Sequence, residues 1–344
     1  MRSSTSSSDQ AAGRTWLRIF LAFFIVSAAM LALAICTPLP HGDLSRIGRI
    51  DDKVFTWTRA QPVVPAELQR SVAVADADVV VVGDSFSVGL VWQSRLVKAG
   101  YRVATVHWDD AEPHCKDFPG WLQGQGFHGK WVIFQTVERA IDRRVHANSD
   151  CAGHHRPAST AYATPPLGAL PVTAGPNWKT QFTTGVVSLV NTYRARTTER
   201  SIVFWNGARV DFVKDGCSLF SHAYCDRVLV LIDDERERRF ESDMLEPMKA
   251  WSAVYSGRAN VLWLVVPNKS SIYLHPEGSI DAGARLAASG LGPDLFSTLR
   301  ALRTGIVDLY LPDDTHLSTT GFERLGDIAL EWIQRREAAP ATAL

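Results

Sequence analysis

The feature that most constrains this chain is four consecutive valines at 79–82, followed at once by Gly83-Asp84-Ser85. β-Branched side chains disfavour a helix, and an unbroken apolar run is the mark of a parallel strand covered on both faces. Gly83-Asp84-Ser85 turns the chain, and residues 87–99 then suit a helix closed by Gly100. Strand, tight turn and helix open a βαβ unit. Ser85 therefore falls just past the C-terminal end of a central strand, where open α/β sheets hold their chemistry. Taken alone, the turn also reads as a helix cap, because Asp and Ser are good N-cap residues.

The rest of the chain fits that opening. Apolar runs at 101–106, 131–134, 261–266 and 305–309 read as further strands, and 291–303 and 321–335 as helices. This alternation predicts an α/β domain with a mainly parallel sheet. Residues 109–129 read as a loop, and 148–177 as an insertion too long for an ordinary connection. A helix is expected over 178–193, and a hairpin within 201–213 around Asn206-Gly207, a strong two-residue turn signal. Asn206 is thus read as a turn residue. A charged amphipathic helix is expected over 233–255. Residues 38–76, broken by Pro38, Pro40, Pro62 and Pro65, read as a stalk. The expected organisation is an N-terminus 1–18, a membrane segment 19–37, the stalk 38–76, a domain 77–337 with an insertion around 140–225, and a frayed tail 338–344.

Residues 19–37 carry no charge and are long enough to cross a bilayer as a helix. Arg2, Arg14 and Arg18 precede them, which predicts a cytoplasmic N-terminus. Ala32-Leu33-Ala34 has the form of a signal-peptidase site, so a cleaved signal competes with an uncleaved anchor, and the anchor is favoured. Ile35 before Cys36 is too bulky for a lipoprotein signal. Either way the chain beyond about residue 38 is expected outside the cytoplasm, on the periplasmic side of the inner membrane. Cysteine usage agrees with export: Cys115, Cys151, Cys217 and Cys225 all follow the apolar segment. Nearness in sequence favours pairing Cys217 with Cys225 and Cys115 with Cys151. Cys151, His154 and His155 match no common zinc spacing, so no metal is expected, and nothing calls for a cofactor. A formal net charge of zero, with no long basic run, excludes nucleic acid as an expected partner.

A second motif, Asp313-Asp314-Thr315-His316-Leu317-Ser318, follows the last expected strand. It therefore belongs at the same sheet edge as Ser85. A serine hydroxyl is a poor nucleophile until a base takes its proton. An imidazole does this near neutral pH, and a carboxylate fixes its tautomer and stabilises the imidazolium. One short loop supplies both groups.

GDSFS near the start and DDTHLS near the end resemble the first and last blocks of the SGNH (GDSL-like) hydrolase superfamily. The resemblance implies a three-layer α/β/α domain, a Ser-His-Asp triad and acyl-ester chemistry over most of 76–337. Asp314-Thr315-His316, Gln135-Thr136-Val137-Glu138-Arg139, and Pro267-Asn268-Lys269 with Tyr273 are similar to segments of alginate O-acetyltransferase-like proteins. In that group the Asp-Thr-His block precedes the serine block, and here the order is reversed. Leu317 also replaces the Trp usual there. The chain thus looks like a relative in rotated order, and the polysaccharide does not carry over. Two acids compete for the triad: the D-x-x-H spacing of ordinary SGNH enzymes selects Asp313, and the D-x-H spacing selects Asp314, which is favoured. The usual Gly and Asn oxyanion donors are missing. The resemblance makes Gln135, Arg139, Lys269 and Tyr273 the candidate oxyanion or substrate contacts, with a Glu-Arg surface pair at a helix start the alternative for Arg139.

The function these readings imply is an exported, membrane-tethered O-acyltransferase moving an acetyl group from an acyl donor to a polysaccharide or cell-envelope glycan. An esterase at the same site, and a non-catalytic glycan-binding protein on the same fold, are the alternatives. A multispanning membrane acyltransferase is an expected partner by resemblance.

Overall fold

The computed structural model describes residues 7–111, 118–146, 175–205 and 207–338. The expected Cys115–Cys151 pairing, the zinc candidates, Asn206 and the tail from 339 lie outside them. The chain opens with α1 (Ser7–Cys36), and its stretch Gln10–Cys36, which contains an 18-residue window of mean hydropathy 2.8, is long and apolar enough to cross a membrane. Its length and composition suit either a membrane anchor or a secretion signal. Two short helices follow, α2 (Asp43–Gly48) and α3 (Asp52–Phe55).

The valine run forms β1 (Val79–Gly83), followed by α4 (Ser85–Val88), α5 (Gln93–Lys98) and β2 (Val103–His107). The expected loop after β2 instead holds α6 (Trp108–Ala111) and α7 (Phe118–Gly124). Phe118 and Leu122 are buried there, and such apolar spacing at i and i+4 gives one turn a core-facing stripe. β3 (Trp131–Val137) runs without a loop into α8 (Glu138–His146). The helix expected at 178–193 begins later, as α9 (Thr184–Thr197), and the hairpin is β4 (Ile202–Phe204) and β5 (Ala208–Phe212). β6 (Arg227–Leu231) follows, a strand the sequence reading left unassigned. The single helix expected over 233–255 is broken into α10 (Asp233–Arg236) and α11 (Leu245–Ala253). Pro247 sets where the second of these begins. A proline lacks the N–H of a helix interior and clashes one turn back, so a helix containing it must start close before it. β7 (Asn260–Val266), α12 (Lys269–Tyr273), α13 (Ile280–Ala288), α14 (Leu295–Leu302) and α15 (Thr319–Ala338) complete the chain.

The central sheet has the order β2-β1-β3-β7, with every pair parallel. Successive side chains on a strand point to opposite faces. Val79, Val81, Ile133 and Leu264 accordingly share one core with Leu96, Leu299, Leu325 and Ile333 from α5, α14 and α15. Val80, Val82, Phe134 and Trp263 share the other with Leu122, Met248 and Leu286 from α7, α11 and α13. Both faces are helix-covered, which is why the valine run never alternates with polar residues.

The expected fifth strand at 305–309 is absent: these residues form turns, and only Tyr310 makes an isolated bridge, to Leu317. Asp308 takes a left-handed φ of 55°, which no strand residue holds. Its carboxylate accepts from the Ser221 backbone N–H and hydroxyl, fastening the segment sideways instead of into the sheet.

A second sheet, β4-β5-β6, is antiparallel, and Cys217 and Cys225 form the expected disulfide beside it. The segment read as a stalk packs here. Leu44, Ile50 and Phe55 are fully buried against Ala195, Phe204, Val210 and Leu229. The C-terminal end of α1 meets α9: Ala34 is fully buried, and the Asn177 N–H donates to the Ile35 carbonyl.

Candidate functional site

Ser85 opens α4 at the C-terminal end of β1. Asp84 is its N-cap, its carboxylate accepting from the Phe86 N–H at 3.0 Å and the Val137 N–H at 2.8 Å. Arg144 of α8 pairs with the same carboxylate at 2.9 Å. Burial works to raise the Asp84 pKa, but Arg144 and the N–H donors outweigh it and hold the group below its usual range. Gln135, buried at the end of β3, accepts from the Asp84 N–H at 3.1 Å and the Ser87 hydroxyl at 2.7 Å. Gly83 is required by this close approach, since a Cβ there would overlap the Ser87 hydroxyl. The turn is thus bolted to the sheet from below, while Ser85 is exposed above it.

The Asp314-Thr315-His316 loop reaches Ser85 from the other side. His316 Nε2 lies 2.8 Å from Ser85 Oγ, and its Nδ1 lies 2.5 Å from Asp314 Oδ1. The Phe86 ring packs on the imidazole with centroids 4.6 Å apart. Of the two competing acids, Asp314 faces the imidazole. Asp313 is fully buried, and burial with the nearby Asp52 and Asp314 carboxylates pushes its pKa well up. Burial would also raise Asp314, but the bond and charge of His316, with the Asp43 and His316 N–H groups, bring it well below the usual carboxylate range. For His316, burial opposes the charged ring, and Asp314 followed by Asp43 outweighs it, so its pKa is raised.

Lys269 and Tyr273 do not reach a substrate surface. Lys269 is 1% exposed, and its Nζ donates to the carbonyls of Leu311, Pro312 and Asp314 at 2.7, 2.8 and 3.1 Å. It clamps the acid loop from beneath. Burial lowers its pKa to about 8, partly offset by Asp313, Asp314 and Asp43. Tyr273 packs against Phe220 and Tyr310 inside the core. Gln135 serves the turn. Arg139 is tied through its backbone N–H and guanidinium to Asn268, and through its guanidinium to the buried Asp234 at 3.1 Å, rather than to Glu138 in a surface pair, since Glu138 is itself buried.

The residues that sequence reasoning missed are supports. Buried Glu138 accepts from the Asn268 N–H and from the hydroxyls of Ser271 and Ser279. It joins α8 to α12 and α13, and its only sequence signal is its place in the Val-Glu-Arg segment. Asp43 accepts from Thr315, and nothing in its surroundings at 41–45 announces this.

Asp43, Asp314 and His316 offer ligand atoms within 4.8 Å of one another. The 2.5 Å separation of Nδ1 from Oδ1 is that of a hydrogen bond. Two ligands of a tetrahedral zinc sit roughly 3.3 Å apart, so this close pair does not fit a metal between them. Two surface cavities, of about 380 and 340 Å3, are lined by other residues, and the Ser85 hydroxyl stands at an open surface.

Chemically, the arrangement can take a proton from Ser85 onto Nε2 while Asp314 holds the proton on Nδ1. As the first residue of a helix, Ser85 has no intrahelical acceptor for its backbone N–H, which is left to donate to an oxyanion. No protein-family model, curated protein or solved structure matches the chain.

Proposed function

We propose that the protein is a membrane-tethered, extracytoplasmic O-acyltransferase that esterifies a hydroxyl of a polysaccharide or envelope glycan through an acyl-serine intermediate. The observation that carries this reading is the continuous hydrogen-bonded chain Ser85–His316–Asp314 at the C-terminal edge of a parallel sheet. Ser85 Oγ attacks the acyl carbonyl carbon as its proton passes to His316 Nε2. The oxyanion collapses, and the donor's alcohol leaves with that proton. A sugar hydroxyl then gives its proton to His316, attacks the acyl-Ser85 carbonyl, and leaves as the ester while Ser85 recovers its proton. Helices on both faces of the sheet support a three-layer domain of the SGNH kind. The apolar helix α1 supports tethering at the inner membrane with the domain on the periplasmic side. An acyl donor must reach that side, a task suited to a multispanning membrane acyltransferase.

The exposure of Ser85 favours one second reading, an esterase with water as acceptor. The test is to incubate the full chain in detergent with an activated acetyl ester, with and without oligosaccharides. The transferase reading predicts acetylated glycan and less free acetate. Acetate release indifferent to every glycan would overturn it in favour of the esterase.

A further inference from the structure

The acid–base loop is fastened not only by its own domain but also by the segment that leaves α1. Residues 37–42 alone separate the end of that helix from Asp43. The Leu44 and Ser45 N–H groups donate to the Asp313 carbonyl at 3.1 and 3.2 Å, so α2 seats its N-terminus on the loop backbone. Gly42 permits the approach, because a Cβ there would overlap the Asp313 carbonyl. Asp43 sits at the centre of the seam. Its N–H donates to Asp314 Oδ2 at 3.0 Å, and its carboxylate accepts from the Thr315 N–H at 2.8 Å and the Thr315 hydroxyl at 2.5 Å. The same carboxylate lies 3.8 Å from His316 Nδ1, on the side of the ring already engaged by Asp314.

We infer that Asp43 is a positioning residue for His316: it fixes the far oxygen of Asp314, locks the intervening Thr315, and sets a second negative charge beside the imidazole. This rests on reading Ser85–His316–Asp314 as the reacting site. The geometry couples the base of that site to the chain that emerges from the apolar helix, so the juxtamembrane segment is part of the machinery. A hydrogen-bonding neutral residue at 43 would keep the shape and lose the charge. The charged groups facing the imidazole are Asp314 on its own loop, Asp43 on α2 and Arg139 on α8, with buried Lys269 of α12 beneath the loop and Asp313 and Asp52 behind it. Asp43 is the second carboxylate that favours the protonated ring, and removing its charge leaves Arg139 less opposed.

The test is a titration of the full chain in detergent, following the His316 ring by NMR, its signal assigned by loss in His316→Gln. Asp43→Asn is expected to lower the His316 midpoint by about one unit, the effect of removing one nearby opposite charge. The acid limb of kcat/KM toward an activated ester should move down by the same amount, and kcat should fall by up to about tenfold as the less basic ring takes the Ser85 proton less readily. Thr315→Val, which removes one donor to Asp43 and keeps its charge, should lower kcat and leave the midpoint within a few tenths of wild type. An unchanged His316 midpoint in Asp43→Asn, with thermal unfolding like wild type, would overturn the inference. If Asp43→Asn unfolds, a midpoint in Thr315→Val displaced by a full unit would overturn it instead. The ring titration needs no turnover. Failure of the wild type to acylate Ser85 would sink the proposed function and leave this result readable.

Discussion

The two halves of the site are built in opposite ways. The Ser85 turn is assembled within the central sheet: a strand end, the helix cap Asp84, and the adjoining β3–α8 junction through Gln135, Val137 and Arg144. The Asp314-Thr315-His316 loop follows no strand. It is held by Lys269 from below and by the Gly42–Asp43–Leu44 seam from outside, partners that lie off the central sheet. Ser85 is thus placed by a strand end and by contacts from the neighbouring strand of the same sheet, whereas His316 is placed by contacts from elements outside the sheet. The first half should tolerate remote changes, and the second should feel them.

The largest effect expected from breaking this arrangement is at the loop's acid. Asp314→Asn should lower kcat on the order of 10⁴-fold, because the wrong tautomer is stabilised on His316. Asp313→Asn should leave kcat within about tenfold, since the ring is bonded by Asp314 instead. Steady-state rates toward an activated acetyl ester compare the two. Equal losses in both variants would erase the distinction drawn between the two acids.

Next comes the turn itself. Arg144→Met leaves the buried Asp84 carboxylate unpaired, and removal of one partner from a buried ion pair costs about 3 kcal/mol. Chemical denaturation should show that loss, with Ser85 chemistry falling only as the folded fraction falls. An unchanged unfolding midpoint would show that the N–H donors alone suffice to hold Asp84.

The pH profile separates the halves more finely. In the proposed chemistry His316 must be neutral to accept the Ser85 proton, and its pKa is raised above the ordinary histidine value. The acid limb of kcat/KM should therefore have its midpoint above about 6.5. The same shift stabilises the fold at pH below the unfolded histidine value and is lost as pH rises through the folded one. Asp314, lowered, contributes stability at pH above the unfolded carboxylate value of about 3.9, and that contribution disappears on acidification through its folded pKa. An acid limb with a midpoint below 6 would contradict the charge placement around His316.

What the sequence made legible follows the same division. The valine run, the Gly-Asp-Ser turn and the Asp-Thr-His spacing carry local information, and local geometry realises them: β1, β3 and β7 form a parallel sheet, and Asp314 rather than Asp313 meets the imidazole. The Cys217–Cys225 disulfide, close in sequence, was equally legible. Residues 305–309 misled because Ile306 and Val307 look like a strand, and nothing local announces the positive φ of Asp308 or its bond to Ser221. Proline spacing misled at 38–76: prolines break helices but do not prevent Leu44, Ile50 and Phe55 from filling a core. Asp43 and the clamping role of Lys269 were invisible because their partners lie across the fold.

The most direct test of the central claim is to trap the acyl-enzyme. The full chain, quenched within seconds of mixing with an activated acetyl ester and digested, should show by mass spectrometry one added acetyl group on the peptide carrying Ser85. That adduct should be absent in Ser85→Ala and nearly absent in His316→Ala. No adduct on Ser85, or one that forms equally well without His316, would contradict the account.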